Sequence, residues 1–292
     1  MLDHRTIGDV ELYQVIELMG PTHARAVMLP GLPRQLMQDN RALLEPDSWL
    51  SHTDQLVFAI KIFVLKVAGQ VILIDTGIGN QKPRSSGWQS MLNTRTAQWL
   101  AGIGAGPDQV DHVVHTHLHV DHVGWNTVRG ETGWEPYFKN ATYHFPRVEW
   151  DAFKAQYDGG DHGMWGGSFA DSVLPVHAAG LVNFVEDGDH LAGCLDAALA
   201  IGHSPGHMAL SLRADGEELI FCGDIIHSAA QVLLPGVNSQ WCVHPDQARA
   251  TRHRLLERAA STGATLYPAH ARGVGGWTIG RNGDGFVPEI RD

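Results

Sequence analysis

The segment His115-Thr116-His117-Leu118-His119-Val120-Asp121-His122 constrains this chain more than any other. It contains H-x-H-x-D-H, so four ligand-type side chains fall between positions 117 and 122. The run DHVVHT (111–116) before it is short and β-forming. Side chains two apart on an extended chain point the same way, so His117 and His119 can converge on one ion. A turn after them, which Gly124 permits, lets Asp121 and His122 face a second ion nearby. Burying several imidazoles and a carboxylate without partners is costly, which argues against plain core packing. The spacing favours a metal-binding loop at a strand end. The bland alternative is a solvated histidine-rich loop.

A metal ion needs three or four protein ligands, so the rest must come from farther along. Three candidates each follow a β-rich run: His207 in GHSPGH (202–207), Asp224 after LIFCG, and His270 closing LYPAH. A scaffold presents ligands at one sheet edge in this manner. Singly they are weak, since an Asp after Gly is more often a turn residue. Together with the first cluster they form a set. His115 reads as a supporting or structural residue and His203 as a turn residue. His144, His162, His177, His190 and His244 have no partner at ligand spacing and read as surface or core histidines.

Residues 6–18 alternate and predict an opening strand. An irregular arm (about 20–54) follows, with one short helix around Arg34–Leu44. Residues 56–80 predict a strand pair around Ala68-Gly69-Gln70 that ends in the turn Asp75-Thr76-Gly77-Ile78-Gly79. Helices are expected at 88–103, 146–157 and Pro245–Thr262, and a loop-rich insert at about 146–180. Short strands are expected across 181–203, 208–223 and 265–271, then a glycine-rich hairpin at 273–288. No composition break marks a linker, so 1–292 is expected to be one domain. Met28, Leu29, Leu32, Leu36 and Met37 are apolar for an irregular arm. They suggest cover for a cleft or a partner subunit, hence a homodimer. Trp125, Trp134, Trp165 and Phe169 either rim a substrate cleft or pack in the core.

Composition narrows the partners. The formal charge is −11 and no basic block stands out, so nucleic acid and anionic membrane are poor partners and a small-molecule substrate is expected. The first residues lack a basic region followed by an apolar one, and no apolar run approaches the ~20 residues of a membrane span. The cytoplasm is the expected compartment. Cys194, Cys222 and Cys242 form no CxxC pair, which disfavours a disulfide framework or a cysteine zinc knuckle.

Asp75-Thr76-Gly77, THLHVDH (116–122), Pro205-Gly206-His207, Gly223-Asp224 and Pro268-Ala269-His270, in that order, resemble the motifs of the metallo-β-lactamase-fold hydrolase superfamily. The resemblance implies an α+β fold, a four-layer αββα sandwich. It implies two divalent metal ions per chain, zinc first, with iron, manganese or cobalt suited to the same donors. One ion would be held by His117, His119 and His207, the other by Asp121, His122 and His270, with Asp224 bridging. Asp75 would orient the histidines, though a turn role fits it equally. THLHVDHVGWNT and GDIIHSAAQ resemble the subgroup of N-acyl-homoserine lactonases and methyl parathion hydrolase. That implies opening of a lactone or carboxylic ester by a hydroxide shared between the ions, with Asp121, Asp224 and His227 as catalytic residues. His227 stands where lactonases of this group carry a tyrosine, as in the methyl parathion hydrolase pattern. Phosphotriester, phosphodiester or β-lactam cleavage at the same centre is the alternative.

Overall fold

The computed structural model describes residues 2–272 and 276–290. The chain forms two compact units, Met1–Leu18 with Ile60–Leu199 and Met19–Ala59 with Ala200–Asp292. Among the described residues no helix is long and apolar enough to cross a membrane.

The first unit is built on a mixed sheet whose strands run in the order Leu2–Ile7, Val10–Ala24, Gln55–Val67, Gln70–Ile74, His112–Val114, Thr142–Pro146, Val182–Val185. The opening strand expected at 6–18 is in fact two, because Gly8 at φ +58° turns the chain and pairs Ile7 with Val10. Residues 56–65 of the strand Gln55–Val67 are all buried, so it reads as a continuous apolar run rather than an alternating one. The charge within residues 56–65, Lys61, is met by the Gln14 side-chain oxygen at 3.1 Å. The strands Gln70–Ile74, His112–Val114, Thr142–Pro146 and Val182–Val185 are parallel neighbours. Parallel pairs need crossovers, which the helices Thr96–Gly102 and Arg147–Asp158 supply. The core of this unit gathers Val64, Leu73, Val113, Tyr143, Phe145 and Phe153. A hairpin, His190–Leu191 with Leu195–Leu199, closes the unit.

Two expectations change here. The helix expected at 88–103 is only Thr96–Gly102. Asn80 accepts the Thr94 N–H (2.8 Å) and donates to the Thr94 carbonyl (2.9 Å), which closes residues 80–94 into a loop that cannot wind. The insert after residue 158 is not a loose tract. Phe169–Val173 forms a π turn and Leu174–Ala178 a helical one. Buried Asp171 anchors them through Arg84 (2.6 and 3.0 Å) and Lys82 (3.5 Å).

In the second unit the strands run Met208–Ala214, Glu217–Gly223, Thr265–Pro268, Trp277–Asn282, Gly285–Ile290. Glu217–Gly223 and Thr265–Pro268 are parallel, joined through the helix Pro245–Thr262, whose bounds match the sequence reading. Proline at its start and Gly263 at φ +74° after its end explain that sharpness. The final hairpin forms from Trp277 onward, and residues 273–275 lie outside the described residues. The arm folds as the helices Arg25–Met28, Arg34–Asp39 and Arg41–Leu44. Met28, Leu29, Leu32 and Met37 are fully buried within this chain.

Gly202 carries the start of the GHSPGH loop at φ +141°, and a Cβ there would lie 2.2 Å from the Ala248 nitrogen. His244 donates its N–H to the Gly202 carbonyl at 2.9 Å, so loop and helix are locked together. Gly202→Ala is expected to cost about 2 kcal/mol and to lower Tm by about 5 °C, read by thermal melting.

Candidate metal centre

The first unit places Asp75 and the His115–His122 segment at the ends of adjacent parallel strands, Gln70–Ile74 and His112–Val114. Asp75 is buried with a left-handed φ of +57°. Its Oδ1 accepts the Thr116 N–H at 2.9 Å and its Oδ2 accepts the Thr116 hydroxyl at 2.8 Å. Its Oδ2 also lies 2.9 Å from His122 Nδ1. Burial alone would raise the Asp75 carboxyl, but the His122 and His115 imidazoles and their hydrogen bonds hold it well below the usual carboxylate range. With Nδ1–H given to Asp75, His122 keeps Nε2 as its lone-pair nitrogen, the tautomer a metal ligand needs.

The same turn ties down the rest of the segment. Thr76 donates its N–H to the His122 carbonyl (2.7 Å) and accepts from the Trp125 N–H (2.9 Å), and Gly124 donates to Gly77 (2.7 Å). Only glycine fits at 124, because a Cβ would sit 1.9 Å from the Ile78 carbonyl. The His117 ring packs 4.5 Å from His119 and 4.0 Å from His122. Asp121 Oδ1 lies 3.7 Å from His122 Nε2. His117, His119, Asp121 and His122 therefore meet at one strand end. His115 turns its Nε2 to Asn126 Oδ1 at 3.0 Å, a supporting position.

In the second unit Asp224 is the hub. It follows the strand Glu217–Gly223, and its Oδ1 lies 2.8 Å from His270 Nε2. Its Oδ2 lies 3.3 Å from Nε2 of both His203 and His227. His270 gives its Nδ1–H to the Ala59 carbonyl at 2.8 Å, which turns Nε2 toward Asp224. His207 is buried and accepts the Asp224 N–H on its Nε2 at 3.0 Å, which fixes it beside that residue. His227 is buried, and burial pulls its imidazole below its ordinary range against the pull of Asp224.

Two residues escaped the sequence reading. His203 reads as a turn residue in GHSPGH, yet it is buried, and His203, Asp224 and His227 offer ligand atoms all within 4.8 Å of one another. A histidine at each end of a Ser-Pro-Gly turn was the available signal. Glu17 is the other. Its carboxylate accepts the Ile78 N–H (2.6 Å), the Gly79 N–H (3.3 Å) and the Trp125 indole N–H (2.6 Å). Burial pushes its carboxyl up to about 7 despite those bonds. Among the aromatics, Trp165 packs 3.9 Å from the His119 ring, while Trp125 and Phe169 are core residues and Trp134 lies under the Lys82 ammonium.

These donors are imidazoles and carboxylates, and Asp75 and Ala59 take the Nδ1 protons of His122 and His270. Such a set fits a divalent cation of zinc's class.

The profile of the metallo-beta-lactamase superfamily matches residues 57–270. The chain belongs to that superfamily, whose members are metal-dependent hydrolases with an α+β fold. Among solved structures, the hydrolase AbOPH of the beta lactamase superfamily aligns with TM-score 0.79 at 22% identity, covering 100% of this chain and 98% of that one. AidC, a dizinc quorum-quenching lactonase in complex with the product N-hexanoyl-L-homoserine, aligns with TM-score 0.79 at 19% identity, covering 100% and 97%. A B. thuringiensis AiiA mutant with N-decanoyl-L-homoserine at its active site aligns with TM-score 0.62 at 16% identity, covering 91% and 94%. No curated protein sequence matches the chain.

Glu17 gives a pH signature. Its carboxyl rises from 4.5 to about 7 on folding, so the folded state binds more protons than the unfolded state between those values. Its ionisation therefore costs stability as pH rises through that window, by no more than about 3 kcal/mol. In Glu17→Gln this component is expected to vanish. Denaturant midpoints at pH 5 and pH 7.5 read it, and an identical pH slope in variant and wild type would contradict it.

Proposed function

We propose that this chain is a dinuclear metal hydrolase of one domain that opens lactones or carboxylic esters. The observation that carries the reading is the burial of six members of the superfamily ligand set, His117, His119, His122, His207, Asp224 and His270, with Asp121 half-buried. The family match over residues 57–270 supports the reading. His117, His119 and His207 would hold one ion, Asp121, His122 and His270 the other, and Asp224 both. The bond class is supported by the lactonases among the solved relatives.

Two divalent cations there would supply a water acidic enough to ionise near pH 7 and a Lewis acid for the scissile carbonyl. The chain's own residues do the rest. Asp121 and Asp224 offset the cations' charge. Asp75 fixes the His122 ring through Nδ1, and Ala59 does the same for His270. His227, with Nε2 3.3 Å from Asp224, is placed to hydrogen-bond a substrate oxygen or to give a proton to the departing alkoxide. The ester or lactone takes up one water and leaves as carboxylate and alcohol. Histidine rather than tyrosine at 227 favours a second reading, phosphotriester cleavage at the same centre.

The test is a panel of γ-lactones, aryl esters, phosphotriesters and a chromogenic cephalosporin, assayed after chelation and after metal return. Lactone or ester turnover that chelation abolishes and zinc restores is the expected result. Turnover indifferent to chelator would refute the reading. His227→Ala is expected to lower kcat about 100-fold while metal content stays at about two per chain. Unchanged kinetics would remove His227 from the mechanism.

A further inference from the structure

The helix Pro245–Thr262 buries Ala248, Arg252, Leu255, Leu256 and Ala259, so an arginine stands where the spacing calls for an apolar residue. Arg252 is fully buried. All three of its guanidinium nitrogens donate to the segment that follows Asp224. Nε reaches the Ile225 carbonyl at 2.8 Å. Nη1 reaches the Pro235 carbonyl at 2.7 Å and the Val237 carbonyl at 2.9 Å. Nη1 and Nη2 both reach Asn238 Oδ1 at 3.2 Å. These acceptors lie at the two ends of residues 225–238, and His227 lies between them. A second link closes the network. The Val237 carbonyl also accepts Gln231 Nε2 at 2.9 Å, and Gln231 Oε1 accepts the His227 N–H at 2.8 Å. Gln231 is fully buried as well.

We propose that Arg252 is the positioning residue for His227, clamping residues 225–238 so that the imidazole keeps its place beside Asp224. The proposal rests on the hydrolase reading above and adds a residue to it. Burying a cation is costly, and an apolar side chain of similar volume fills such space at less cost. What the guanidinium adds is direction, a planar fork of donors that pins several carbonyls in one arrangement. Bonds to a charged donor are also stronger than neutral ones. The Ile225 carbonyl comes one residue after Asp224 and two before His227. The clamp therefore bears on the turn that sets the 3.3 Å between His227 Nε2 and Asp224 Oδ2. Misplacing a reacting group by about 1 Å can cost about 100-fold in rate. With its donors spent on carbonyls and an amide oxygen, Arg252 acts on the reaction through His227.

The experiment is a double-mutant cycle on the zinc-loaded full chain, with the lactone or ester of the panel that wild type turns over fastest. Arg252→Met is expected to lower kcat about tenfold and to leave KM within about twofold of wild type. In a His227→Ala background the same change should lower kcat less than about twofold. Gln231→Met cuts the link while the guanidinium stays, and it should reproduce both results. It also carries the test if Arg252→Met does not fold. Hydrogen exchange of the metal-free chain is measured beside the kinetics. Exchange over residues 225–238 is expected to rise about tenfold in either variant, while the strands Met208–Ala214 and Glu217–Gly223 keep their wild-type protection. Equal losses of kcat in both backgrounds, or exchange that rises as much in those strands, would mark a general loss of structure and overturn the proposal. A wild type that turns over no panel member refutes the hydrolase reading, and exchange that rises over 225–238 alone then still upholds the clamp.

Discussion

A carboxylate removed from water must recover its hydrogen bonds inside the protein, and Asp75 recovers them from the elements that carry the histidines. It takes the Thr116 N–H, the Thr116 hydroxyl and the His122 Nδ1 proton, all within 2.9 Å. The result is a fixed tautomer for His122 and a fixed start for the segment His117–His122. Removing one partner of a buried charged pair is far costlier than never having built it. The arrangement therefore keeps the turn 75–79 and the segment 117–126 in one geometry. Glu17 performs a parallel task on the same turn, holding Ile78, Gly79 and Trp125. The two acids differ in environment. Imidazoles beside Asp75 hold its carboxyl down, while Glu17 takes only neutral N–H donors, and burial, with a smaller push from the Asp121 charge, raises its carboxyl to about 7.

In the second unit the logic inverts, with one carboxylate serving several imidazoles. Asp224 is within 3.3 Å of nitrogens on His203, His227 and His270, and its backbone N–H binds His207. A carboxylate at the centre of such a set is suited to sit between cations, because it offers an oxygen to each side. Phe58 stacks on His270 and Trp241 lies 6.3 Å from His227, so aromatic rings pack against the same histidines.

Much of this was legible in the sequence, for definite reasons. The helix Pro245–Thr262 announces itself by proline at its start and glycine after its end. His117, His119, Asp121 and His122 are close in sequence, so spacing alone places them together. What stayed hidden depends on distant partners. Asp75 could equally have been a turn residue until its bonds to Thr116 and His122 were known. His203 looked like a turn residue because its partner Asp224 is 21 positions away. The helix expected from residue 88 fails through a side-chain bridge from Asn80 to Thr94 that no periodicity can register. Nor could the sequence say that the chain itself buries Met28, Leu29, Leu32 and Met37 of the arm.

The central claim is that the proposed ligand set holds a pair of cations. Diffraction at the zinc absorption edge from crystals of the zinc-loaded protein tests it directly. The account predicts two anomalous peaks about 3.5–4 Å apart, one bonded to His117, His119 and His207, the other to Asp121, His122 and His270, with Asp224 touching both. Zinc-soaked crystals with a single peak, or none, at these residues would contradict it.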